Sequence, residues 1–389
     1  MADDVNQPCP TTPVPPVQDT PGEPAKPVPG IALSLSGGGY RAMLFHLGCL
    51  WRLNELCYLP KLNWLSSVSG GSITSGTLAQ SWSQLGFEAN GCAVNFDKLV
   101  TQPLRKMAGK TIDAPSVFEG FIEGASNVVT QHYKKYLFGD TTLQNLPDNP
   151  TFLFNATSLQ TGVLWRFCKS FMGDYKVGLI NNPALPLAKV VAASSAFPPV
   201  LSPATFDLDP ASFDPNIKCD APFNTPAFRS KAVLCDGGVY DNLGLETTWK
   251  HYTEILVSDG GIGIAPDPDP SHLWPQQISR VLGIIYNQVS SLRKRNLIAS
   301  YNCNERTGTY WGIQANIANY KLANALQCDF TFTTKLAETP TRLDAMDDQL
   351  QEHLIDWGYA ICDAAMRRHV LPPDAPAPAQ SPYGTFRQP

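Results

Sequence analysis

Short apolar runs, each bounded by glycine, proline or polar residues, recur along the chain and predict buried β-strands. The runs lie at residues 31–35, 64–68, 152–154, 190–192, 232–235 and 255–257. Several are followed by segments with helical apolar spacing, including 43–56. Because strands that alternate with helices form parallel sheets through crossover connections, the pattern predicts an α/β fold. We expect three layers, α/β/α, with a mostly parallel central sheet.

Two longer helices are predicted in the C-terminal third of the chain. In the first, apolar side chains recur at helical spacing and end against the cations of residues 293–295. They are Ile278, Val281, Leu282, Ile285, Val289 and Leu292. We interpret this segment as a helix packed on the domain; a face directed at a membrane or a partner is the alternative. The second helix, over residues 343–361, closes the domain.

Proline-rich segments with few large apolar residues occur at both ends of the chain. Such a composition cannot bury enough apolar surface to offset the entropy lost on ordering. We therefore expect residues 1–29 and 372–389 to be disordered tails. Residues 30–371 are expected to form one folded domain.

The composition narrows the classes of protein to which this chain can belong. Of its 389 residues, 43% are hydrophobic and 16% are charged, which suffices for a large core. The formal net charge of −5 does not supply the positive field that binding to nucleic acid requires. No apolar stretch is long enough to span a bilayer, and the N-terminus has no basic and apolar leader. We expect a cytoplasmic protein.

The 10 cysteines are scattered rather than arranged in paired metal-ligand spacings. In a large chain without a secretion signal, this distribution favours buried thiols over a disulfide framework. We therefore expect neither a zinc site nor a set of disulfides, and no cofactor.

A glycine-rich turn joins the first predicted strand to the first predicted helix. It reads Ser36-Gly37-Gly38-Gly39-Tyr40-Arg41-Ala42. Glycines permit positive φ and leave backbone N–H groups unshielded at the positive end of a helix, so the turn is suited to an anion. A dinucleotide pyrophosphate, a nucleoside triphosphate and the oxyanion of an acyl-transfer intermediate are the three candidates.

Both nucleotide interpretations meet an obstacle. A dinucleotide site requires an acidic residue at the end of the second strand, where this chain has Ser66-Ser67-Val68-Ser69. A triphosphate site requires a lysine after the glycines, and none follows them.

The second predicted strand instead leads into Ser69, two glycines and a helix of small residues. A serine on a sharp turn between strand and helix adopts a strained backbone, and its neighbours must be small enough for the turn to close. The segment therefore resembles a nucleophile elbow, although Ser67 replaces the first glycine of the usual G-x-S-x-G pattern. Beside it, the N–H groups of the glycine turn would stabilise an oxyanion.

A serine nucleophile needs a base within hydrogen-bonding distance. Asp236 directly follows an apolar strand and precedes two glycines, which leave it accessible. Asp259 has a similar setting, and its alternative role is that of an aspartate that caps a turn. We rank Asp236 first and Asp259 second.

Together these motifs resemble those of the patatin-like phospholipase family, within the superfamily of patatins and cytosolic phospholipases A2. The resemblance is carried by the glycine turn, the elbow around Ser69 and the segment Asp236-Gly-Gly-Val-Tyr-Asp-Asn. Connecting motifs at residues 137–140, 155–157 and 193–198 also agree. Many patatins have Asp and Gly at the positions of Ser36 and Ala42, and the form found here is closer to the cytosolic phospholipases A2.

The resemblance implies a patatin-like catalytic domain that hydrolyses lipid esters, as a phospholipase A or a lysophospholipase does. It implies a dyad of Ser69 and Asp236 without a catalytic histidine, and Arg41 as the residue that holds a substrate phosphate. A surface salt bridge is the alternative role of Arg41. The oxyanion hole would be formed by Gly37, Gly38 and Gly39.

The partners implied are a membrane phospholipid or another lipid ester, reached by peripheral contact with a membrane. Some bacterial members of the family stay inactive until a signalling nucleotide or a partner triggers them. A regulatory ligand and a homo-oligomer are therefore also candidates. No binding to nucleic-acid backbones and no metal are expected.

Two other functions remain open. One is an α/β-hydrolase with a Ser-His-Asp triad, because four histidines follow Asp236 in chain order. They are His251, His272, His353 and His369. However, an α/β-hydrolase usually has several strands before its nucleophile, whereas Ser69 follows the second. The other is a module that binds a nucleotide or a lipid without catalysis.

Overall fold

A computed structural model describes residues 26–113 and 124–389 of the chain. The strands are β1 (Val28–Leu35), β2 (Trp64–Val68), β3 (Thr151–Ser158), β4 (Leu164–Phe167), β5 (Phe171–Asp174), β6 (Gly178–Asn181), β7 (Ala204–Asp207), β8 (Lys231–Asp236), β9 (Tyr252–Asp259) and β10 (Thr307–Gly312). The helices are α1 (Gly39–Glu55), α2 (Gly70–Ser81), α3 (Gln102–Ala108), α4 (Ala125–Tyr133), α5 (Leu187–Ser194), α6 (Pro226–Arg229), α7 (Gly238–Asp241), α8 (Leu245–Trp249), α9 (Trp274–Asn302), α10 (Phe330–Ala337) and α11 (Asp348–His369). Most of the tail predicted for residues 1–29 lies outside the described residues, and β1 begins within its last few positions.

The strands join in one mixed sheet. The five strands in the order β10-β9-β1-β2-β3 are parallel throughout. From β3 the sheet continues antiparallel through β4, β5 and β6. β8 also pairs antiparallel with β3, and β7 pairs antiparallel with β8. The predicted α/β fold is confirmed. The antiparallel half is an addition to the mostly parallel sheet that the sequence predicts.

Helices cover both faces of the parallel half. In β9, Leu256 belongs to the main core, which also contains residues of α1, α2 and α11. Its neighbours Ile255 and Val257 belong instead to a second cluster, which includes Leu297 of α9. Successive residues of a strand face opposite sides of the sheet, so a run without polar positions must be buried on both sides. This is why residues 255–257 are apolar at every position.

Strand β3 brings two other strand ends together. β2 runs parallel to β3 as far as Val68, which pairs with Asn155. β8 runs antiparallel to β3 and ends at Asp236, which pairs with the next residue, Ala156. The opposite side of β3 is taken by β4. β2 and β8 therefore meet end to end along one side of β3, and the residue that follows β2 lies beside the last residue of β8.

One of the six predicted strands is wrong. Residues 190–192 lie within the helix α5. Seven of the eight residues of this helix are buried, so it has no polar face that would reveal a helical period. In a short run of apolar residues, the sequence pattern of a buried helix cannot be distinguished from that of a buried strand. The other five runs fall within β1, β2, β3, β8 and β9.

The helix predicted around residues 278–292 is present as α9, but its apolar face does not pack on the domain. Ile278, Val281, Leu282 and Ile285 have exposed fractions of 50%, 53%, 59% and 50%. The interpretation as a packed helix is wrong for this face, because apolar periodicity identifies one side of a helix but not what that side meets. Among the helices of the described residues, α9 included, none is long and apolar enough to cross a membrane.

The C-terminal segment, residues 372–389, is docked against α11 rather than disordered. Phe386 is buried and packs on Trp357 of that helix. The buried carboxylate of Asp356 accepts hydrogen bonds from the Ser381 hydroxyl and from two backbone N–H groups of the segment. The prediction of disorder is wrong here because average composition does not reveal a single aromatic anchor or its long-range hydrogen bonds.

Cys57 and Cys92 form a disulfide, with 4.6 Å between their Cα atoms. The expected absence of disulfides is wrong for this pair. The buried free thiols agree with the expectation, and they are Cys49, Cys168, Cys235 and Cys362. Because disulfides persist mainly in oxidising compartments, the pair counts against the predicted cytoplasmic location, which stays a prediction.

Candidate active site

Ser69 lies at the sharp turn between β2 and α2. Its backbone has φ 51° and ψ −119°, and a positive φ is rare and strained for a residue with a side chain. The turn closes only because Gly70 lacks a side chain, since a Cβ there would lie 2.2 Å from the carbonyl oxygen of Gly39. The local geometry is that of the predicted elbow.

Asp236, the last residue of β8, meets Ser69 where β2 and β8 abut. The Ser69 side chain lies close enough to the Asp236 carboxylate to lower its pKa as a hydrogen-bond donor. The backbone N–H of Gly238 donates to Asp236 Oδ1 at 2.7 Å. Burial raises the pKa of Asp236 to about 6, although both hydrogen bonds act in the opposite direction. The carboxylate is therefore ionised at neutral pH and more basic than an exposed aspartate.

The segment 193–198 holds the two residues in place. The backbone N–H of Ser69 donates to the Ser194 hydroxyl at 3.1 Å, and this hydroxyl donates to the Asn155 carbonyl at 2.6 Å. The backbone N–H of Asp236 donates to the carbonyl of Ala196 at 2.8 Å. One short segment thus fixes both the elbow and the end of β8, a role that its motif in the sequence did not reveal.

The three glycines of the turn are not equivalent. The N–H of Gly37 donates to the carbonyl of Asn242 at 3.1 Å. Within the described residues, the N–H groups of Gly38 and Gly39 have no acceptor, and both glycines have positive φ, at 144° and 61°. A Cβ on Gly37 would lie 3.1 Å from the Cβ of Ser69, so the turn passes directly beside the serine. The N–H of Gly37 is therefore not available to an anion, and the prediction of an oxyanion hole that includes Gly37 is wrong for this residue. The predicted roles of Gly38 and Gly39 stay predictions.

Arg41 lies under the glycine turn and not on the surface. Only 1% of it is exposed, and its guanidinium donates to the carbonyls of Gly260, at 3.2 Å, and Thr339, at 2.5 Å. Burial lowers its pKa to about 10, which leaves it cationic at neutral pH. No salt bridge to Arg41 occurs in the described part of the chain, so the surface-salt-bridge interpretation is wrong. A Cβ on Gly38 would lie 3.0 Å from its Nη2 atom.

A cavity of about 270 Å³ opens beside Ser69. Apolar side chains that line it include Phe197, Val200, Leu201 and Leu343. At its edge Arg342 forms a bidentate ion pair with Asp113, with N–O distances of 2.7 and 3.1 Å. No pattern in the sequence predicts this pair, because its two residues come from distant segments of the chain. A mainly apolar cavity with one polar edge is suited to an acyl chain.

The alternative residues lie elsewhere. Asp259 accepts a hydrogen bond from the Tyr310 hydroxyl at 2.6 Å, and β1 separates its strand from β2. His251 hydrogen-bonds to the carbonyl of Thr247 and stacks on Trp64. His353 packs on Phe332 and His369 packs on Tyr320, while His272 is exposed. The positions of these histidines do not support a triad. The described residues contain no cluster of three or more potential metal ligands of the His, Cys, Asp or Glu type.

Comparison with known proteins gives one family and several solved structures of low similarity. The chain is similar to human GIVD cytosolic phospholipase A2 in complex with methyl gamma-linolenyl fluorophosphonate, at 16% identity and a TM-score of 0.48, covering 87% of this chain and 57% of that one. A second structure of the human protein has 14% identity, a TM-score of 0.40 and coverage of 67% and 48%. VipD from Legionella pneumophila has 14% identity, a TM-score of 0.35 and coverage of 86% and 66%.

This chain spans about half the length of the human protein structures that it matches. No curated protein sequence matches it. The family model of the patatin-like phospholipases matches residues 33–249, which contain the glycine turn, Ser69 and Asp236. Since this match covers more than half of the chain, the chain belongs to the patatin-like phospholipase family.

Proposed function

We propose that this chain hydrolyses carboxylic ester bonds in lipids, as a phospholipase A or a lysophospholipase does. The observation that carries the proposal is the contact between Ser69, strained at a strand end, and the buried carboxylate of Asp236. Backbone strain at the end of a strand and a raised carboxylate pKa are both typical of reactive groups. Membership of the patatin-like phospholipase family supports lipid esters as the class of substrate.

In the first step, the Ser69 hydroxyl attacks the ester carbonyl while Asp236 accepts its proton. The oxyanion that forms is received by the N–H groups of Gly38 and Gly39, and the buried charge of Arg41 behind the turn adds favourable potential. Collapse of the intermediate breaks the ester bond. Asp236 returns the proton to the alcohol that leaves, and the acyl group remains on Ser69.

In the second step, a water attacks the acyl group while Asp236 accepts a proton from that water. Asp236 then returns this proton to Ser69 Oγ as the bond between Oγ and the acyl carbon breaks, which releases the acid and restores the Ser69 hydroxyl. Asp236 suits both steps because its raised pKa makes it a stronger base than an exposed carboxylate while it stays ionised at neutral pH. The role of Arg41 as a direct ligand of a substrate phosphate stays a prediction, and the burial of its guanidinium behind the turn counts against it.

Intact-mass measurement after treatment with a fluorophosphonate tests the proposal. We expect one adduct on the wild-type chain, none on Ser69→Ala and far slower labelling of Asp236→Asn. Asp259→Asn is the matched control, because this aspartate also precedes two glycines, and it should label at the wild-type rate. An adduct that persists in Ser69→Ala would refute the assignment. The absence of any adduct on the wild type, with and without lipid vesicles, would favour a binding module without catalysis.

A further inference from the structure

The helix α9 turns its apolar face away from the domain. More than half of the exposed large apolar side chains of the described residues lie between residues 273 and 298. We define the outer face of α9 by Trp274, Ile278, Val281, Leu282, Ile285 and Val289. Helices on the surface of a soluble domain normally bury such a face, and contiguous apolar patches mark sites of interaction.

The side of α9 that meets the domain is mostly small or polar. Arg293 pairs with Glu246 at 2.5 Å, and Arg280 donates to the carbonyl of Ala265 at 3.3 Å. Gly283 packs on the side chain of Ile264. The large apolar side chain of α9 that is fully buried, Leu297, lies near the C-terminal end of the helix. The polar contacts hold α9 in place with its outer face in solvent, so the orientation is part of the fold.

The charge on α9 is of one sign. Its 29 residues include four cations, Arg280, Arg293, Lys294 and Arg295, and no acidic residue, in a chain whose formal net charge is −5. Lys294 and Arg295 are exposed. A helix with an apolar face, a tryptophan and only cationic charges is suited to the interface of a bilayer that contains anionic lipid.

α9 also contacts the residues that follow the proposed base, Asp236. The hydroxyl of Tyr286, on its inner side, would lie 3.3 Å from a Cβ placed on Gly238, the residue whose N–H binds Asp236. Burial and the nearby carboxylates of Asp236 and Asp259 raise the pKa of Tyr286, so its hydroxyl stays protonated. A surface that contacts the outer face of α9 is therefore separated from the proposed active site by one helix.

We propose that the outer face of α9 docks on an anionic lipid bilayer and holds the proposed active site at the membrane surface. The choice of a bilayer as the occupant rests on the proposed function, because a lipid ester substrate resides there. The exposed cations Lys294 and Arg295 support it independently, whereas Arg280 and Arg293 are paired with carboxylates. A bilayer also accommodates a single convex helix without a complementary groove.

Flotation with lipid vesicles tests the docking, using the Ser69→Ala chain so that no lipid is consumed. Vesicles of phosphatidylcholine alone are compared with vesicles of equal parts phosphatidylcholine and phosphatidylserine. The test variant adds Ile278→Ser, Leu282→Ser and Ile285→Ser. The matched control instead adds Val94→Ser, Leu159→Ser and Phe330→Ser, three exposed apolar residues outside α9. Circular dichroism verifies that both variants are folded.

We expect binding to the anionic vesicles that falls at least tenfold in the test variant and not in the control. Failure of the Ser69→Ala chain to bind either vesicle, or equal binding by the test variant, would overturn the proposal. So would a dimer in solution that becomes a monomer in the test variant, because the face would then join two copies. The proposed function can fail independently of the docking. In that case the wild-type chain would bind vesicles but form no adduct with the fluorophosphonate.

Discussion

The tripeptide Asp-Gly-Gly follows a buried strand twice in this chain, at Asp236 and at Asp259, with different results. In both copies the N–H of the second glycine donates to Oδ1 of the aspartate, at 2.7 Å in the first and 2.9 Å in the second. The remaining partner differs. Asp236 meets the Ser69 hydroxyl, whereas Asp259 meets the Tyr310 hydroxyl. Local sequence thus specifies the turn, and strand topology specifies what the carboxylate does.

The topological difference is the direction of the strands. β9 is parallel to β1, so Asp259 lies at the same edge of the sheet as the end of β1. β1 lies between β9 and β2 and keeps Asp259 away from the end of β2. β8 is antiparallel to β3 and points its last residue at the end of β2. Only that arrangement places a carboxylate against the elbow.

The largest expected effect is a difference in activity between the Asp236→Asn and Asp259→Asn variants. Asp236→Asn removes the proposed base and should lower kcat/KM on a soluble ester by about 10²–10⁴-fold. Asp259→Asn should stay within a few-fold of the wild type. Steady-state kinetics on purified variants decides this, and comparable losses in both would mean that topology does not distinguish their roles.

The pH profile sharpens the comparison. Because the base must be ionised and the pKa of Asp236 is about 6, kcat/KM should fall about tenfold per pH unit below pH 6 and level off above it. Asp259→Asn should show the same profile as the wild type. A profile that is flat from pH 5 to pH 8 would exclude Asp236 as the titrating base.

As the pH rises through the pKa of Asp236, the activity of the wild type should increase while its free energy of unfolding decreases. The folded-state pKa of Asp236 is raised, so between about pH 4 and pH 6 the folded chain holds a proton that the unfolded chain releases, and ionisation costs stability as pH rises. Asp236→Asn should therefore be more stable than the wild type at pH 8, by about 2–3 kcal/mol at most.

Chemical denaturation measures this difference, which should shrink as the pH is lowered through 6 toward 4. Asp259→Asn serves as the control. A mutant at Asp236 that is less stable than the wild type at pH 8 would contradict the effect of burial.

The smallest expected effect on activity is that of Tyr310→Phe. This change removes the hydroxyl that Asp259 accepts, and a hydrogen bond to a charged group contributes about 1.5–3 kcal/mol to stability. We expect a lower melting temperature and nearly unchanged kcat/KM. Loss of activity in a folded Tyr310→Phe chain would show that Asp259 acts on the site.

The parts of the molecule that short-range patterns describe were predictable. Five of the six predicted strands, the sharp turn at Ser69 and the glycine turn depend on residues close in sequence. What escaped prediction depends on long-range pairing. The engaged N–H of Gly37, the anchoring of Phe386 and the ion pair of Arg342 each need a partner from a distant segment.

Orientation is the other kind of information that the sequence lacked. The spacing of residues 278–292 defines an apolar stripe, and the same stripe would fit a buried helix. The domain meets the opposite side of α9 through Arg293 and Arg280, contacts that depend on loops and helices elsewhere.

The end-to-end arrangement of β2 and β8 also has a consequence for the order of assembly. Ser69 and Asp236 are separated by more than a third of the chain, and their contact requires β3 to have paired on the same side with both strands. Contacts of such high sequence separation form late in folding, because a long loop must close first. A chain still emerging from the ribosome would carry Ser69 without Asp236 beside it, so the proposed dyad would form only once β8 has paired with β3.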